Sequence, residues 1–377
     1  MKHPAVSIGF DELYAKLQEE VNARRVLETR SDELSLYLYT NQTVYNKEWN
    51  EWNKLARGLL LDLDAREVRA LSFPKFFNYG EAPIGEIPNC NFKIYDKVDG
   101  SLGICFHHKQ EWRVVTKGSF TSMQAIWGTR AVREIVKEKP GALVPGTTYL
   151  FEMIHPGDRK VVNYDFEGLV LLGAYEAGGA ELDYDALNNL VVALDHPSLR
   201  LVRMFPPLPL GQLLQISEKL DASVEGFVVR FDNGYRLKIK GAEYCRLHRY
   251  ISGVTPLGVW RVMRDNNVEE TRRKIPEEYW SDFDKIHSIL SQQLQALLER
   301  VEDYYLAHTD RTDKELGLML SELPELAVAY LFARRRDPQW YERKKCRDGL
   351  MLRIRPTQNR MEGYEPSARL NSLLEDE

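Results

Sequence analysis

The chain of 377 residues is 44% hydrophobic, which suffices for one large domain and one smaller domain with packed cores. Its formal net charge of -5 excludes a uniformly basic surface, so contact with nucleic acid would need a local basic patch. The four cysteines are widely spaced without a CxxC pair, which argues against a structural zinc site, and no apolar run is long enough to span a membrane.

The first two thirds of the chain contain both helical and strand patterns. Phe10, Leu13, Leu17 and Val21 recur at helical spacing and predict a helix over about residues 9–29. Shorter apolar runs follow, and most of them predict strands. In chain order, the predicted elements are strands at 34–39, 55–63, 68–73, 92–97, 102–107 and 112–116, a helix at 122–137, strands at 149–154 and 168–175, and helices at 184–194 and 210–220.

A hairpin follows these elements. Asn233-Gly234 separates two alternating segments, and Asn-Gly in this position indicates a tight turn. With a two-residue loop, Val229 would face Lys238, and Val228 would lie on the opposite face, toward a core. The residues then expected on one face of the hairpin are Glu225, Phe227, Val229, Arg236, Lys238 and Lys240.

Strand patterns stop near residue 245. An apolar stripe from Trp280 to Val301 predicts a long helix, and Pro324 is expected to begin another. The expected fold class is therefore α+β, with an antiparallel-sheet domain over residues 1–245 and an all-helical domain over residues 246–377.

Five short segments within residues 97–241 combine lysines, glycines and carboxylates. They are Lys97-Val98-Asp99-Gly100-Ser101, Thr116-Lys117-Gly118-Ser119, Phe151-Glu152-Met153, Glu225-Gly226-Phe227-Val228-Val229-Arg230 and Lys238-Ile239-Lys240-Gly241. Lysines beside a carboxylate suit an anionic triphosphate and its metal ion. Taken singly, each segment also has an ordinary structural explanation: a solvated lysine for Lys97, a buried ion pair for Glu152, and an exposed charged face for the hairpin.

In their order and spacing, these segments resemble the active site of the covalent nucleotidyltransferases. The chain is similar to the ATP-dependent polynucleotide ligases, and within them to the RNA ligase 1 family of T-even bacteriophages, over roughly residues 35–245. The resemblance implies that Lys97 is the catalytic residue that becomes lysyl-AMP and that Glu152 contacts the ribose. The residues that it assigns to ATP are Tyr39, Arg57, Lys75, Lys117, Glu152, Glu225, Lys238 and Lys240.

The resemblance also implies a divalent metal ion. The expected ion is Mg²⁺, and Mn²⁺ could replace it. Glu225 would hold the ion directly or through water. Glu269 and Glu270 are the nearest match to an acidic pair that binds metal in the family, where the residues are aspartates. Val161 and Val162 lie near the position where the family packs an apolar side chain against adenine.

Lys97 must lose a proton before it can attack a phosphate. A free lysine has a pKa near 10.4, so only about one in a thousand is the neutral amine at neutral pH. Nearby cations lower such a pKa. We therefore expect Lys238, Lys240 and a metal ion to lower the pKa of Lys97.

The resemblance implies three steps: ATP adenylylates Lys97, AMP passes to a 5′-phosphate, and a 3′-hydroxyl displaces AMP. The enzyme expected is thus an ATP-dependent RNA ligase, soluble and cytoplasmic, that acts on single-stranded or nicked RNA. RNA is favoured over DNA because the segment after Lys240 is predicted to be helical, whereas DNA ligases and capping enzymes continue with an OB-fold. The alternatives are a non-catalytic RNA-binding protein on a degenerate fold and a GTP-using capping guanylyltransferase.

A basic stretch near the end of the chain is a candidate RNA contact. Residues 334–360 hold ten Lys or Arg against three acidic residues, together with Trp340 and Tyr341, whose rings suit stacking on unpaired bases. The hypothesis is that the helical domain docks a structured RNA, such as a tRNA with a broken anticodon loop. A solvated charged face explains the same pattern equally well.

Overall fold

The computed structural model describes residues 2–81, 85–158, 160–357 and 361–367, and the chain divides into two units between residues 248 and 249. The strands of the first unit are β1 (Val26–Ser31), β2 (Leu34–Tyr39), β3 (Arg57–Asp62), β4 (Glu67–Ala70), β5 (Phe77–Asn78), β6 (Phe92–Asp96), β7 (Ser101–His108), β8 (Glu111–Val115), β9 (Thr148–Ile154), β10 (Gly168–Tyr175), β11 (Leu199–Leu201), β12 (Met204–Phe205), β13 (Gly226–Phe231) and β14 (Arg236–Lys240). Its helices are α1 (Phe10–Asn22), α2 (Asn41–Asn46), α3 (Glu51–Leu55), α4 (Met123–Glu138), α5 (Tyr184–Leu194), α6 (Leu210–Ser217) and α7 (Ala242–Ser252), the last of which runs past the unit boundary.

The strands form three sheets. The amino-terminal sheet has the order β1-β2-β3-β4 and is antiparallel throughout. The central sheet has the order β11-β10-β9-β7-β8 and is antiparallel except for the β10–β11 pair. The hairpin sheet has the order β12-β6-β13-β14-β5 and is antiparallel except for the β14–β5 pair. The predicted α+β class with antiparallel sheets is confirmed.

Each sheet buries apolar side chains against a neighbour. Leu13 and Leu17 of α1 pack with Leu36 of β2 and Leu60 of β3, all fully or almost fully buried. One face of the hairpin sheet packs on α6, and the buried residues of this core are Ile94, Leu213, Phe227, Val229, Phe231, Leu237 and Ile239. The opposite face of the hairpin sheet is therefore available for polar residues.

The described part of the second unit is helical, as predicted. Beyond α7, its helices are α8 (Pro256–Arg264), α9 (Val268–Lys274), α10 (Trp280–Leu306), α11 (Asp313–Leu318), α12 (Glu325–Arg336) and α13 (Lys344–Arg353). None of the helices in the described residues combines the length and the apolar character that crossing a bilayer would need. All four cysteines are free thiols.

The predicted amino-terminal helix is too long. It ends at Asn22, and the chain then forms β1, which the sequence pattern did not reveal. Arg24 has a φ of +60°, which breaks the helix. In β1 only Val26 is buried, so the strand lacks the alternation by which a half-buried strand is identified.

The predicted register of the β13–β14 hairpin is wrong by one residue. Phe231 donates its N–H to Tyr235 O at 2.8 Å, so the loop has three residues, ending with Gly234 at a φ of +81°. A three-residue loop with a left-handed glycine in the last position is a common hairpin alternative to the two-residue turn. Val228 pairs with Lys238, and Phe227 and Val229 face the core, because a shift of one residue exchanges the two faces.

Candidate active site

A cavity of about 410 Å³ lies against the polar face of the hairpin sheet. Leu102, Glu152 and Leu172 of the central sheet also line it. Across the hairpin sheet, the cavity-facing residues form three rows: Lys97 with Lys240, Tyr95 with Val228 and Lys238, and Lys93 with Arg230 and Arg236. Successive rows are about 7 Å apart, because every second residue of a strand faces the same side.

Lys97 directly follows β6, and its N–H donates to Gly226 O at 3.0 Å. Its Nζ lies 2.7 Å from Oε2 of Glu225, and the other oxygen, Oε1, lies 3.1 Å from Nζ of Lys240. The Glu225 side chain is only 3% exposed. One buried carboxylate therefore holds two of the predicted site lysines at the same end of the cavity.

Glu225 reaches this position because of Gly226. By strand alternation, Glu225 would share the core face with Phe227 and Val229. Gly226 has a φ of +143°, and a Cβ at this position would overlap the carbonyl oxygen of Ile239. The glycine thus allows the chain to leave the regular strand geometry, which places the carboxylate beside the lysines.

The pKa of Lys97 departs from the expected direction. Burial favours the neutral amine, but the negative charges of Glu225, Glu152 and Asp99 outweigh it and hold the pKa of Lys97 above its ordinary value. The neighbouring lysines alone therefore do not lower the pKa of Lys97, because its nearest charged neighbour is a carboxylate, and a lowering by a bound metal ion stays a prediction.

Lys238 is the lysine whose pKa is strongly lowered. The cause is first its burial and then the positive charges of Lys97, Arg57, Lys75 and Lys240. Its Nζ lies 4.8 Å above the centre of the Phe76 ring. Lys238 therefore stands in the middle of the cationic side chains, where an anion would stabilise its charged form.

Asp99, two residues after Lys97, accepts three hydrogen bonds that could not be predicted from the sequence. Its Oδ2 accepts the backbone N–H groups of Val161 and Val162 at 2.9 and 2.8 Å, and its Oδ1 accepts the hydroxyl of Tyr244 at 2.7 Å. Asp99 thereby ties together the loop after β9 and the start of α7. Val161 and Val162 are buried and are not among the residues that line the cavity. Tyr244 lines the cavity and contacts Lys240, whose Nζ lies 5.1 Å from its ring centre.

Glu152 lies in β9, opposite Leu102 of β7. Its Oε1 accepts the backbone N–H of Gly100 at 3.2 Å. The carboxylate therefore reaches the lysine segment from the central sheet, and it lines the cavity.

A second cationic group surrounds Tyr39. Burial raises the pKa of Tyr39, but the positive charges of Arg57, Lys75 and Lys117 outweigh it and lower the pKa. Arg57 and Lys117 line the cavity, whereas Lys75 and Tyr39 are not among the lining residues. The Nζ of Lys75 lies between three aromatic rings, at 5.3, 5.0 and 5.3 Å from the ring centres of Tyr39, Trp49 and Phe77. The structure thus brings the four predicted residues into one neighbourhood.

The third row has an acidic partner, Glu181, that was not expected from the sequence. Glu181 precedes α5, accepts two hydrogen bonds of 3.1 Å from Arg230, and also pairs with Arg236. Glu181 lines the cavity together with both arginines. The correct three-residue loop would have revealed that Arg230 faces Arg236, but no sequence pattern points to Glu181.

Glu269 and Glu270 lie in the second unit, on the first turn of α9, and both are exposed. Glu270 pairs with Lys274 of the same helix. Neither is among the residues that line the cavity, all of which belong to the first unit. Metal binding by Glu269 and Glu270 stays a prediction.

Another group of possible metal ligands lies away from the cavity. Among the described residues, Glu33, Asp62 and His108 have ligand atoms within 4.8 Å of one another. Glu33 pairs with Lys109 at 2.7 Å, and Asp62 pairs with Arg69 at 2.7 Å. Both carboxylates belong to ion pairs, and none of the three residues lines the cavity, so we assign this group no role in the candidate site.

Four of the ten Lys or Arg at residues 334–360 form ion pairs within the described part of the second unit. These ion pairs are Arg334–Glu302, Arg335–Asp313, Arg343–Asp337 and Arg353–Glu325. Arg347 donates to backbone carbonyls at the end of α8. Trp340 is buried, Tyr341 is partly exposed, and Arg360 lies outside the described residues. RNA docking by this stretch stays a prediction.

Curated proteins similar to this chain include RNA ligases. The RNA ligase of Rhodothermus phage RM378 is 25% identical over 324 residues, which cover 63% of this chain and 73% of the phage protein. A putative RNA ligase of Thermovibrio ammonificans is 25% identical, covering 57% of this chain and 59% of that protein. A putative bifunctional polynucleotide kinase/RNA ligase of Autographa californica nuclear polyhedrosis virus is 26% identical, covering 51% of this chain and 30% of the viral protein.

Solved structures with a similar backbone arrangement include other RNA ligases. An archaeal ATP-dependent RNA ligase is 17% identical with a TM-score of 0.47, covering 76% of this chain and 83% of that chain. The Naegleria gruberi RNA ligase with PPi is 15% identical with a TM-score of 0.35, covering 42% of this chain and 51% of that chain.

The family model for RNA ligases matches residues 55–244, half of the chain. The matched stretch includes Lys97, Glu152, Glu225 and Lys240, and with them the greater part of the cavity lining. The chain therefore belongs to the RNA ligase family.

Proposed function

We propose that this protein is an ATP-dependent RNA ligase that joins a 3′-hydroxyl to a 5′-phosphate through lysyl-AMP and RNA-adenylate intermediates. The observation that carries the proposal is the position of Lys97, whose Nζ lies 2.7 Å from buried Glu225 at the end of a cationic cavity. Family membership supports the choice of RNA as substrate. An intracellular site of action belongs to the proposal, because ATP is an intracellular substrate.

In the first step, the lone pair of the Lys97 amine attacks the α-phosphorus of ATP. The bond from that phosphorus to the bridging oxygen breaks, pyrophosphate leaves with the electron pair, and the amine releases a proton. Lys240 and Lys238 lie on the same face of the sheet as Lys97, in positions to counter the charge that develops on the phosphates. Arg57 and Lys117 supply further positive charge from the cavity wall.

A divalent cation fits the donor set at this end of the cavity. Glu225 and Glu152 are carboxylates that line it, and oxygen ligands are the ones that Mg²⁺ prefers. Glu225 would hold the ion, directly or through water, and Mn²⁺ has the same preference for oxygen. When bound, the ion neutralises phosphate charge.

In the second step, a 5′-phosphate oxygen of RNA attacks the phosphorus of lysyl-AMP, the N–P bond breaks, and the Lys97 nitrogen keeps the electron pair, takes up a proton and leaves as the amine. In the third step, a 3′-hydroxyl attacks the activated 5′-phosphate and AMP departs. Single-stranded or nicked RNA supplies both ends. A broken tRNA anticodon loop is the specific substrate that we propose for the full chain, and exposed Lys344 and Lys345 of the second unit are available for contact with it.

The deciding experiment is incubation with α-³²P-labelled ATP or GTP and Mg²⁺, followed by denaturing electrophoresis. The proposal expects label on the protein from ATP, and none on Lys97→Ala or Lys97→Arg. Label from GTP alone would indicate a capping-type guanylyltransferase. An unlabelled protein that still binds RNA would indicate a non-catalytic RNA-binding protein and refute the ligase assignment.

A further inference from the structure

One exposed face of α4 forms a groove with the edge of the central sheet. β8 is the last strand of that sheet, and α4 packs along it. The groove, of about 640 Å³, has Val114, Val115 and Phe120 in its lining. It belongs entirely to the first unit and is separate from the cavity described above.

The groove is rich in cations at regular spacing. Ile126, Arg130, Arg133 and Lys137 follow one another at intervals of four, three and four residues, so they share one face of α4. From Ile126 to Lys137 this face extends over about 16 Å. Arg113 adds a cation from β8. Four Lys or Arg line the groove against two acidic residues, Glu111 and Glu134, which leaves it positive in a chain whose net charge is -5.

Only part of this charge is neutralised by the protein itself. Arg133 pairs with Glu111 at 2.8 Å, while Arg113 is 3.9 Å from the same carboxylate. Within the described part of the chain, Arg130 and Lys137 have no ion pair at all, and both are exposed.

The edge of β8 is not open to another strand. Thr129 Oγ1 accepts the N–H of Val114 at 2.9 Å and donates to the carbonyl of the same residue at 3.2 Å. Arg133 Nε donates to Trp112 O at 3.0 Å. Because α4 satisfies these backbone groups, an extended peptide would gain few main-chain hydrogen bonds here. The charge and the apolar floor suit a phosphate backbone with unpaired bases instead.

The groove begins next to the cavity. Lys117 lines the cavity and Phe120 lines the groove, and they are three residue steps apart in a loop, with only Gly118 and Ser119 between them. Three residues of chain span at most about 11 Å. The loop is held by the bond from Thr116 N to Ser119 O at 3.0 Å and by Ser122, which caps α4. A strand bound in the groove is therefore close to the end of the cavity that contains Lys117.

We propose that the α4–β8 groove binds single-stranded RNA that leads to the cavity, with Arg130 and Lys137 as its phosphate contacts. This inference rests on the proposed ligase function, and it names the surface that holds the RNA substrate. Arg113 and Arg133 add positive potential, and the apolar floor supports the bases.

The test measures binding of a fluorescein-labelled single-stranded RNA to the full-length protein by anisotropy over a range of salt concentrations. The double variant Arg130→Ala/Lys137→Ala is expected to bind about tenfold more weakly at low salt. The slope of log K against log salt should fall in magnitude by about 1.4, since each phosphate contact contributes about 0.7 on a single strand. Glu134→Gln removes a negative charge from the groove and is expected to bind RNA more tightly.

Lys219→Ala, which removes an exposed lysine after α6, serves as the matched control and should leave RNA binding unchanged. Formation of lysyl-AMP needs no RNA and is measured in parallel, so loss of labelling would count against the ligase function and not against the groove. An unchanged salt slope in the double variant, or an equal loss in Lys219→Ala, would overturn the proposal. An unchanged affinity in Glu134→Gln would also count against it.

Discussion

Gly226→Ala tests the argument that a glycine positions the Glu225 carboxylate beside Lys97. A left-handed φ costs a non-glycine residue about 1–3 kcal/mol, and an atom forced into a packed site costs about 1–3 kcal/mol more. At Gly226 the φ is +143°, and the added Cβ would overlap Ile239 O and lie 2.8 Å from the Cα of Lys240. We therefore expect the free energy of unfolding to fall by about 2–6 kcal/mol. We also expect labelling of Lys97 by ATP to be lost, because Glu225 is displaced.

The assays are urea unfolding followed by tryptophan fluorescence and the α-³²P-ATP labelling described above. Gly211→Ala is the matched control, because a Cβ at Gly211 has nothing within 4 Å and the residue lies in α6. Replacing a glycine by alanine within a helix raises the free energy of unfolding by about 0.5–1 kcal/mol. Labelling of Lys97 in Gly211→Ala should equal that of the wild type. If Gly226→Ala unfolded and labelled like the wild type, the account of how Glu225 reaches Lys97 would be refuted.

Three further predictions concern titration and hydrogen bonding. Burial lowers the pKa of His3 in the folded protein to about 4 from an ordinary value of 6.5. As the pH falls, His3 therefore takes up a proton in the unfolded chain before it does so in the folded protein. Stability should therefore fall as the pH drops from about 6.5 to 4, by up to about 3 kcal/mol, and urea titrations of His3→Gln should show a smaller fall. The pKa of Lys97 is above its ordinary value, so the initial rate of lysyl-AMP formation should rise about tenfold per pH unit through neutrality, and a flat profile would contradict the assignment. Tyr244→Phe removes the hydroxyl that donates to Oδ1 of buried Asp99 at 2.7 Å, so the free energy of unfolding should fall by about 1–3 kcal/mol. An unchanged midpoint in urea unfolding would disprove this.

Regular elements with a buried face could be predicted from the sequence. The strands β2 and β10 and the helix α5 have the predicted bounds, because each carries a clear apolar pattern and ends at polar or glycine residues. β1 was missed because Val26 is its only buried residue. The very short β5 and β12 were missed because two residues cannot display a period.

Within the candidate site, the order of the motifs led to Lys97, Glu152 and Glu225, but the geometry around them did not follow from local rules. The hairpin register depended on whether Asp232 belongs to the loop, and strand pairing decided that it does. The aromatic rings around Lys75 come partly from a loop about 25 residues earlier in the chain, which only tertiary packing brings close.

The shared carboxylate has a consequence for the order of events in the proposed reaction. A phosphoramidate nitrogen carries no positive charge, so adenylylation removes the ion pair between Lys97 and Glu225. Of these two lysines, only Lys240 then pairs with the Glu225 carboxylate. The resting protein and its adenylylated form thus present different electrostatic potentials to an incoming RNA terminus. The adenylylated site has lost one positive charge and gained the charge of the AMP phosphate, so the remaining cations, among them Lys238 and Arg57, must supply the attraction for a 5′-phosphate.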